Sequence, residues 1–547
     1  MVATKDDARV SIPVFPQHPD SRGDQVVIEV DGPLLAGPVG PRVAVFDYNR
    51  DLDELFPPAT PRADGTFPDY DPSDLRFHQL NAYAVTARAI EFVEGELGRS
   101  LSWGFDGGRL IVLPHAGHMA NAFYSEFTNS TQFYSFTQRR RETRPDGTRE
   151  RDRVYHTSLV HDIVAHEAGH ALLDATRDRF TEALEPETAA IHEAVGDLTA
   201  VFAALGHDVV LNRLLKESSD DLRRHNVVAA IAEEFREEGS GGRVALRNLT
   251  EPHPPSYYRN VVEPHEKSLQ MTQAIWEALA RMYDINRALG EPPRTAIRLA
   301  HRVLQRMAVR ALDYLPPADA TFVEFAVAML QADKLSHPKD ARDYRRAVAG
   351  AFVALGIGKN QASLLADTAD GVKWTGRPAN WPGLGPTEAY RFLDRHRNKL
   401  ALSRHPQYRD FVVRSYEVKR SAREPDEVDS VTFVYEYPVD IELRGRRFGY
   451  ADGKWISVIG GGTLVFDADG RLRHHAEKPV TKGRVTSALD FVGGALGTDM
   501  TMLEATEEDQ VRRHAARRPF LLEISQGAAT VRTNLAAACG RAAGGGA

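Results

Sequence analysis

The chain is nearly without cysteine. A single one, Cys539, occurs in 547 residues, which excludes an intramolecular disulfide and any cluster of thiolate metal ligands. Histidine and carboxylate side chains would therefore have to hold any metal ion. Long hydrophobic runs are also missing, because no stretch approaches the roughly 18 apolar residues of a membrane span, and the start of the sequence lacks the basic and apolar segments of a secretory signal. The sequence accordingly predicts a cytoplasmic protein with no membrane partner.

A strong excess of one charge is missing as well. The 68 Lys and Arg residues stand against 76 Asp and Glu residues, and this mild acidity argues against nonspecific binding to nucleic acid. The stretch 138–155 is rich in arginine, but the turn Pro145, Asp146, Gly147 between its charged arms favours a solvated hairpin over a basic binding patch. We therefore expect no nucleic-acid partner.

The length of the chain allows two or three folded units. Residues 1–75 mix strand-like segments with turns rich in Pro, Asp and Gly, and they predict a β-rich N-terminal lead-in. Helical spacing begins at about Leu80, and long helical patterns dominate from His161 to about Ile357, whereas strand-like segments with a hairpin signal at Asp469 and Gly470 follow. The sequence thus predicts an α+β protein with a main domain over 76–357 and an α+β extension, rich in strands, over 358–547. We expect the extension to fold as a separate module.

The segment HDIVAHEAGHALLD, residues 161–174, has the spacing of a metal site. In a helix of 3.6 residues per turn, His166 and His170 lie on one face and can present ring nitrogens to one ion. Glu167 would then lie beside the ion and not on it. The H-E-x-x-H pattern is only suggestive by itself, because an ordinary exposed helix can contain these residues by accident.

A second helical pattern supplies the rest of the predicted site. A catalytic zinc ion usually has three protein ligands and one open position for water, so a third ligand is needed. Glu193, in the segment HEAVGD, fits that role, and the neighbouring zinc helix disfavours the alternative of a surface carboxylate. Asp197 lies four residues later on the same face. We expect it to accept a hydrogen bond from a zinc-bound histidine and to fix the tautomer of that ring.

These segments and four others, in order over residues 77–357, resemble blocks of the thermolysin-like metallopeptidases. HDIVAHEAGHALLD resembles the zinc helix, HEAVGD the helix of the third ligand, and FVALGI the end of the domain. MANAFYSEF implies that Asn121 and Ala122 lie on an edge strand that holds the substrate backbone. ALRNLTEP implies that Arg247 binds substrate, and EPHEKSLQM implies that His265 stabilises the tetrahedral intermediate. The resemblance also implies a two-lobed fold, with a β-rich N-terminal half and a helical C-terminal half.

The sequence departs from the family pattern at three points. His192 precedes the third ligand, where the family usually has Asn. The active-site tyrosine between the zinc helix and the third ligand has no clear match, and Phe180 and Thr181 occupy the nearest stretch. Glu263 is a candidate substitute for the aspartate that orients the family's counterpart of His265. Stabilisation of the intermediate would therefore depend more heavily on His265.

The motifs together predict a zinc-dependent endopeptidase acting on peptides or proteins. His166, His170 and Glu193 would hold Zn²⁺, and Glu167 would remove a proton from the attacking water as general base. Two alternatives stay open. An inactive peptidase-like scaffold that binds proteins is favoured by the missing tyrosine and the long extension, and disfavoured by the complete set of ligands and base. An aminopeptidase is disfavoured because no G-x-M-E-N-like block occurs.

Overall fold

Helices and strands both contribute large parts of the fold, and the predicted α+β class is confirmed. The division into residues 1–75, 76–357 and 358–547 stays a prediction. The structure is a computed structural model, and it describes residues 9–17, 25–105, 107–144, 147–182, 184–231, 247–368, 384–400, 411–421, 424–504, 518–525 and 527–535.

The elements within these ranges are as follows. The helices are α1 (Leu75–Leu97), α2 (His161–Thr176), α3 (Pro186–Leu205), α4 (Asp208–Ser218), α5 (Pro264–Ala288), α6 (Pro293–Ala311), α7 (Phe322–Ser336), α8 (Tyr344–Ala354), α9 (Gln361–Leu365), α10 (Pro386–Arg395) and α11 (Lys482–Ala495). The strands are β1 (Arg9–Val14), β2 (Val26–Asp31), β3 (Val43–Val45), β4 (Tyr48–Asn49), β5 (Glu54–Leu55), β6 (Leu110–Leu113), β7 (Ala122–Ser125), β8 (Ser130–Phe133), β9 (Ser135–Arg144), β10 (Gly147–His156), β11 (Ala230–Ile231), β12 (Arg247–Asn248), β13 (Val412–Ser421), β14 (Glu424–Glu442), β15 (Trp455–Asp467), β16 (Leu472–Lys478), β17 (Met500–Glu504), β18 (Phe520–Ser525) and β19 (Ala528–Thr533).

Two larger sheets lie at opposite ends of the sequence. The first has the order β3-β6-β8-β7, so that β7 forms one edge and runs antiparallel to β8. The second belongs to the extension and has the order β13-β14-β15-β19-β18-β17, with β16 paired to β15. The elements of the main helical region, α2 to α8, lie between these two sheets in the sequence.

Both predicted hairpins are present. Strands β9 and β10 pair antiparallel from Arg144 and Gly147 outward, while Pro145 and Asp146 of their turn lie outside the described residues. Strands β15 and β16 pair across the turn that contains Gly470, whose φ of +77° favours glycine.

Helix α3 packs unusually closely against α2. A Cβ atom added at Gly196 would lie 2.7 to 2.9 Å from three ring atoms of His166, and one added at Gly169 would lie 2.9 Å from the Cα of Gly196. Because neither glycine has a side chain, the two helix backbones can approach each other at this level. By length and composition α3 is also the one described helix that passes as a candidate membrane span, and the tested window is wholly buried inside the fold.

The largest hydrophobic core joins all three predicted segments. It contains residues of β1 to β3, of helices α1 to α9, and also Val465 and Leu535 of the extension. A second core within the extension includes Leu184, which precedes α3, and Ala189 in the first turns of that helix. The extension therefore shares its buried contacts with the main domain and does not pack as an isolated unit.

A buried loop after α6 carries many of these shared contacts. All of residues 311–320 are buried. The Thr463 hydroxyl donates to the carbonyl oxygen of Leu315 at 2.6 Å, and Nε2 of His474 lies 2.8 Å from the carbonyl oxygen of Tyr314. Side chains of the extension thus provide hydrogen-bond donors for two buried backbone carbonyl groups of this loop.

Candidate metal centre

Helix α2 carries both predicted histidine ligands toward the interior. The helix spans the residues that the H-E-x-x-H spacing requires, and the rings of His166 and His170 meet edge to face at 4.6 Å between centroids. Both side chains are buried. The pair lies on the face of α2 that packs against α3, as the close contact of His166 with Gly196 requires.

Glu193 of α3 completes a group of three ligand side chains. Its Oε2 lies 3.5 Å from Nε2 of His166, and its Oε1 lies 3.8 Å from Nε2 of His170. These separations are too long for good N–H···O hydrogen bonds. They are close to the edge of a tetrahedron around a zinc ion, about 3.3 Å for bonds of roughly 2.0–2.1 Å. The three side chains can therefore hold a metal ion, as the sequence predicts for this group.

The charge of Glu193 also calls for a cation. Its side chain is 0% exposed, and Oε1 makes no hydrogen bond with any described residue. Burial would raise the pKa of this carboxyl, but His265 and His170 outweigh burial and hold it well below the usual value. The group is thus a buried carboxylate, which is costly unless a cation or a full set of donors compensates it. The donor set and the charge both fit a bound divalent metal.

Two further residues fix the orientation of the histidine rings. Oδ1 of Asp197 lies 3.0 Å from Nδ1 of His166, and Nδ1 of His192 lies 2.8 Å from Nδ1 of His170. Burial lowers the pKa of His192 to about 4, so this neutral ring can accept the N–H of its neighbour. With a metal ion held at both Nε2 atoms, Nδ1 of His166 would donate to Asp197 and Nδ1 of His170 to His192.

His192 is the functional residue that the sequence motifs missed. It differs from the family pattern, and only the packing of α3 on α2 brings its ring to His170. The other contact falls on the predicted residue, Asp197. For His166, burial disfavours the charged ring, but the nearby carboxylates of Asp197 and Glu193 raise its pKa to about 9. A metal ion at Nε2 would take the position of that second proton.

His265 and Arg247 lie against the same carboxylates. Nε2 of His265, in the first turn of α5, is 2.8 Å from Oε2 of Glu193, and its Nδ1 is 3.1 Å from Oε1 of Glu263. Glu263 also caps α5 by accepting from the backbone N–H of Glu266. The Glu263 carboxylate can therefore orient the ring of His265. The guanidinium of Arg247 lies 2.8 Å from Oδ1 of Asp197.

Glu167 is a buried carboxyl group that neighbours both the ligand residues and the edge strand. Burial raises the pKa of this carboxyl, 2% exposed, to about 7, and the backbone of Tyr124 in β7 hydrogen-bonds to it. The predicted pair Asn121 and Ala122 lies at the start of β7, and both side chains are buried. The predicted base and the predicted edge strand are therefore neighbours.

The stretch nearest to the missing tyrosine supplies no replacement. Phe180 is fully buried in the hydrophobic core, and the Thr181 hydroxyl donates to the carbonyl oxygen of Asp178. Neither side chain offers the phenol that the family uses.

Two comparisons with known proteins identify no relative. A scan against protein-family models finds no match, and a search of curated proteins finds none either.

Proposed function

We propose that this protein is a metal-dependent hydrolase. The observation that carries the proposal is the convergence of His166, His170 and Glu193 with ligand atoms 3.5 to 3.8 Å apart, next to the buried carboxyl group of Glu167. Two imidazole nitrogens and one carboxylate oxygen are a common donor set of catalytic zinc, and they leave a fourth position for water.

Within that class, we propose a thermolysin-like zinc endopeptidase that acts on peptides or proteins in the cytoplasm. The order of the motifs supports this, as does the neighbourhood of Glu167 and β7. An early sheet with β7 at its edge and the helices from α2 onward are compatible with a two-lobed peptidase. Zinc, when bound, would polarise the scissile carbonyl group and acidify a water molecule.

The residues of the chain have separate tasks in this proposal. Glu167 takes the proton of the attacking water and later gives it to the leaving amine, for which a pKa near 7 is well suited. His265, oriented by Glu263, donates from Nε2 to the oxygen that becomes negative. Arg247 donates to a substrate carbonyl. The backbone of β7 binds the peptide as an additional strand.

The deciding experiment compares the wild-type chain with Glu167→Gln, both loaded with zinc. An unfolded protein and a peptide mixture serve as substrates, and mass spectrometry identifies the cleaved bonds. The wild type should cut internal bonds, whereas the variant should keep its zinc and lose at least about a hundredfold in rate. Glu96→Gln is a matched control, because Glu96 is a carboxylate on α1 that bonds to Gln305 and has no role in the proposed site.

Each other outcome has a defined meaning. Zinc binding without any cleavage by the wild type would favour the alternative of a protein-binding scaffold. Removal of single residues from the N-terminus of peptides would favour an aminopeptidase. A zinc-loaded Glu167→Gln variant with wild-type activity would contradict the role of the general base.

A further inference from the structure

A second group of histidines lies outside the metal centre. One ring nitrogen from each of His78, His115 and His156 can be chosen so that the three atoms lie within 4.8 Å of one another. His78 belongs to α1, His115 follows β6, and His156 ends β10 just before the chain enters α2. Three separate segments of the chain thus bring imidazoles to one point.

Hydrogen bonds behind two of these rings fix their tautomers. Nε2 of His78 lies 3.0 Å from the carbonyl oxygen of Pro72, which can only accept, so Nε2 carries the proton. Nδ1 of His115 lies 2.9 Å from both oxygens of Asp47 and donates to that carboxylate. Gln79 donates a second hydrogen bond to Asp47 at 2.7 Å and holds it in place.

These tautomers leave two unprotonated nitrogens facing each other. In the neutral rings, Nδ1 of His78 and Nε2 of His115 both carry lone pairs, and they are only 2.8 Å apart. The third ring adds a similar problem, because Nδ1 of His156 is buried and makes no hydrogen bond within the described part of the chain. Lone pairs at this distance repel unless a proton or a metal ion lies between them.

A shared proton is the weaker of the two solutions. His78 and His115 are only 2% and 4% exposed, so adding a positive charge to this pair would cost desolvation free energy. A proton between His78 and His115 would also leave Nδ1 of His156 unsatisfied. A metal ion, in contrast, accepts the lone pairs of all three neutral rings at once.

We propose that His78, His115 and His156 form a second metal site, which binds a divalent transition metal such as Zn²⁺ and is independent of the proposed peptidase centre. Three imidazoles suit zinc, cobalt, nickel or copper, whereas calcium and magnesium prefer oxygen ligands. Asp47 has the position of the carboxylate that commonly supports a metal-binding histidine. The facing nitrogens need to separate from 2.8 Å to about 3.3 Å, which small rotations of the rings provide.

The site ties the segments around the entry to α2. Thr157, the residue after His156, bonds through its hydroxyl to both the backbone N–H and the carbonyl oxygen of Tyr134. A metal ion that links His156 to α1 therefore braces this junction. Its effect should appear as stability of the folded chain and not as a step of hydrolysis.

The test counts metal ions on the full chain. The protein is stripped with a chelator, titrated with Co²⁺ or Zn²⁺, separated from free metal and analysed for metal per chain. The wild type should bind two equivalents and His156→Gln one. His118→Gln should bind two, because His118 is an exposed histidine three residues after His115 and serves as the matched control. A variant with His166→Ala and His170→Ala should keep one equivalent, which separates this site from the proposed peptidase centre.

A second variant covers the case in which His156→Gln fails to fold. Asp47→Asn keeps all three imidazoles but weakens the acceptor behind His115, so the affinity of the second site should fall by roughly 10 to 100 fold while that of the first is unchanged. Bound Co²⁺ should also give the absorption of a site with nitrogen ligands in the variant that lacks His166 and His170. The proposal is wrong if the variant that lacks His166 and His170 binds no metal, and if Asp47→Asn and His118→Gln have the metal content and affinity of the wild type. A shared proton, and not a metal ion, would then join the rings.

Discussion

At the scale of single residues, Asp197 makes two charged contacts in the metal centre. Its side chain is 0% exposed and lies 3.0 Å from His166 and 2.8 Å from Arg247. The carboxylate therefore both sets the tautomer of a ligand and holds the arginine that is proposed to bind substrate. Loss of this one group should affect the metal before it affects the fold.

We predict that Asp197→Ala weakens zinc affinity by roughly 10 to 100 fold, because the Nδ1 proton of His166 loses its acceptor. Equilibrium competition with a coloured chelator measures the dissociation constant. Asp208→Ala, at a surface carboxylate in the first turn of α4, is the control and should leave the constant unchanged. Equal constants for Asp197→Ala and wild type would remove Asp197 from the metal centre.

A second residue predicts how stability depends on pH. Burial, together with the nearby Glu126, raises the pKa of Asp174 to about 7, and the Tyr124 hydroxyl donates to it at 2.8 Å. In the unfolded chain this carboxyl titrates near 4. The folded state therefore holds the proton more tightly, and the stabilisation is complete below about pH 4 and is lost as the pH rises to about 7.

Asp174→Asn should remove this dependence while keeping an oxygen for Tyr124. Its melting temperature should exceed that of the wild type by several degrees at pH 8, and the advantage should shrink steadily toward pH 4. Thermal melts at equal zinc loading give the comparison. A difference that is the same at pH 8 and pH 5 would show that Asp174 does not titrate between these values.

At the scale of elements, the sequence predicts α2 and α3 well because their signal is local. The i and i+4 spacing fixes which residues share a face, so His166, His170 and Glu193 follow from helical geometry once the helices are recognised. The start of α1 was less visible: periodicity begins near Leu80, but the helix begins at Leu75, because the Asp74 side chain caps it.

What the sequence could not predict depends on packing between distant elements. The ring of His192 reaches His170 only because α3 lies against α2. The second histidine group joins α1, the end of β6 and the end of β10, and no spacing in the sequence links these positions. The change from helical to strand patterning predicts a separate extension, but it gives no information about contacts such as the one between His474 and the carbonyl oxygen of Tyr314.

The contact between α2 and α3 gives a prediction for Gly196→Ala. The new methyl group would lie within 2.9 Å of the ring of His166, so the ring or the helix must move, and zinc affinity should fall by more than about tenfold. Gly95→Ala in α1 is the matched control, because nothing lies within 4 Å of its added Cβ. The control should keep its zinc and gain about 0.5–1 kcal/mol of stability.

Zinc titration and thermal melts measured on both glycine variants decide the point. Wild-type affinity in Gly196→Ala would mean that the two helices can separate at this level without disturbing the ligands.

At the scale of the whole molecule, the extension completes the interior of the main domain. Its side chains bond to Tyr314 and Leu315, and Arg484 pairs with the buried Asp319 at 2.5 Å. Arg532 of the last described strand reaches Glu126, just beyond β7, at 2.7 Å. The extension thus contacts the main domain at several points far apart in the sequence.

We predict that a chain ending at residue 368 will not fold as a stable unit. The carbonyl of Tyr314 would lose His474, and the buried Asp319 would lose Arg484 and keep only the backbone N–H of Leu184. Leu315 would keep Arg177 but lose Thr463. A buried polar group that loses its partner costs about 1–3 kcal/mol. Size-exclusion chromatography and thermal melting should show aggregation or a transition lowered by at least about 10 °C. A soluble fragment with a cooperative melt and bound zinc would instead establish the extension as an independent module.

The contacts of the buried loop also determine when, during translation, the core can be completed. Tyr314 and its partner His474 are 160 residues apart in the chain. At about 5–20 residues per second, a ribosome needs roughly 10–30 s to pass from one to the other. Both groups of candidate metal ligands, His166, His170 and Glu193 and the three histidines His78, His115 and His156, have by then been synthesised, whereas the part of the core that contains Val465 has not. During this interval the proposed metal ions could reach their ligands before the fold closes around them.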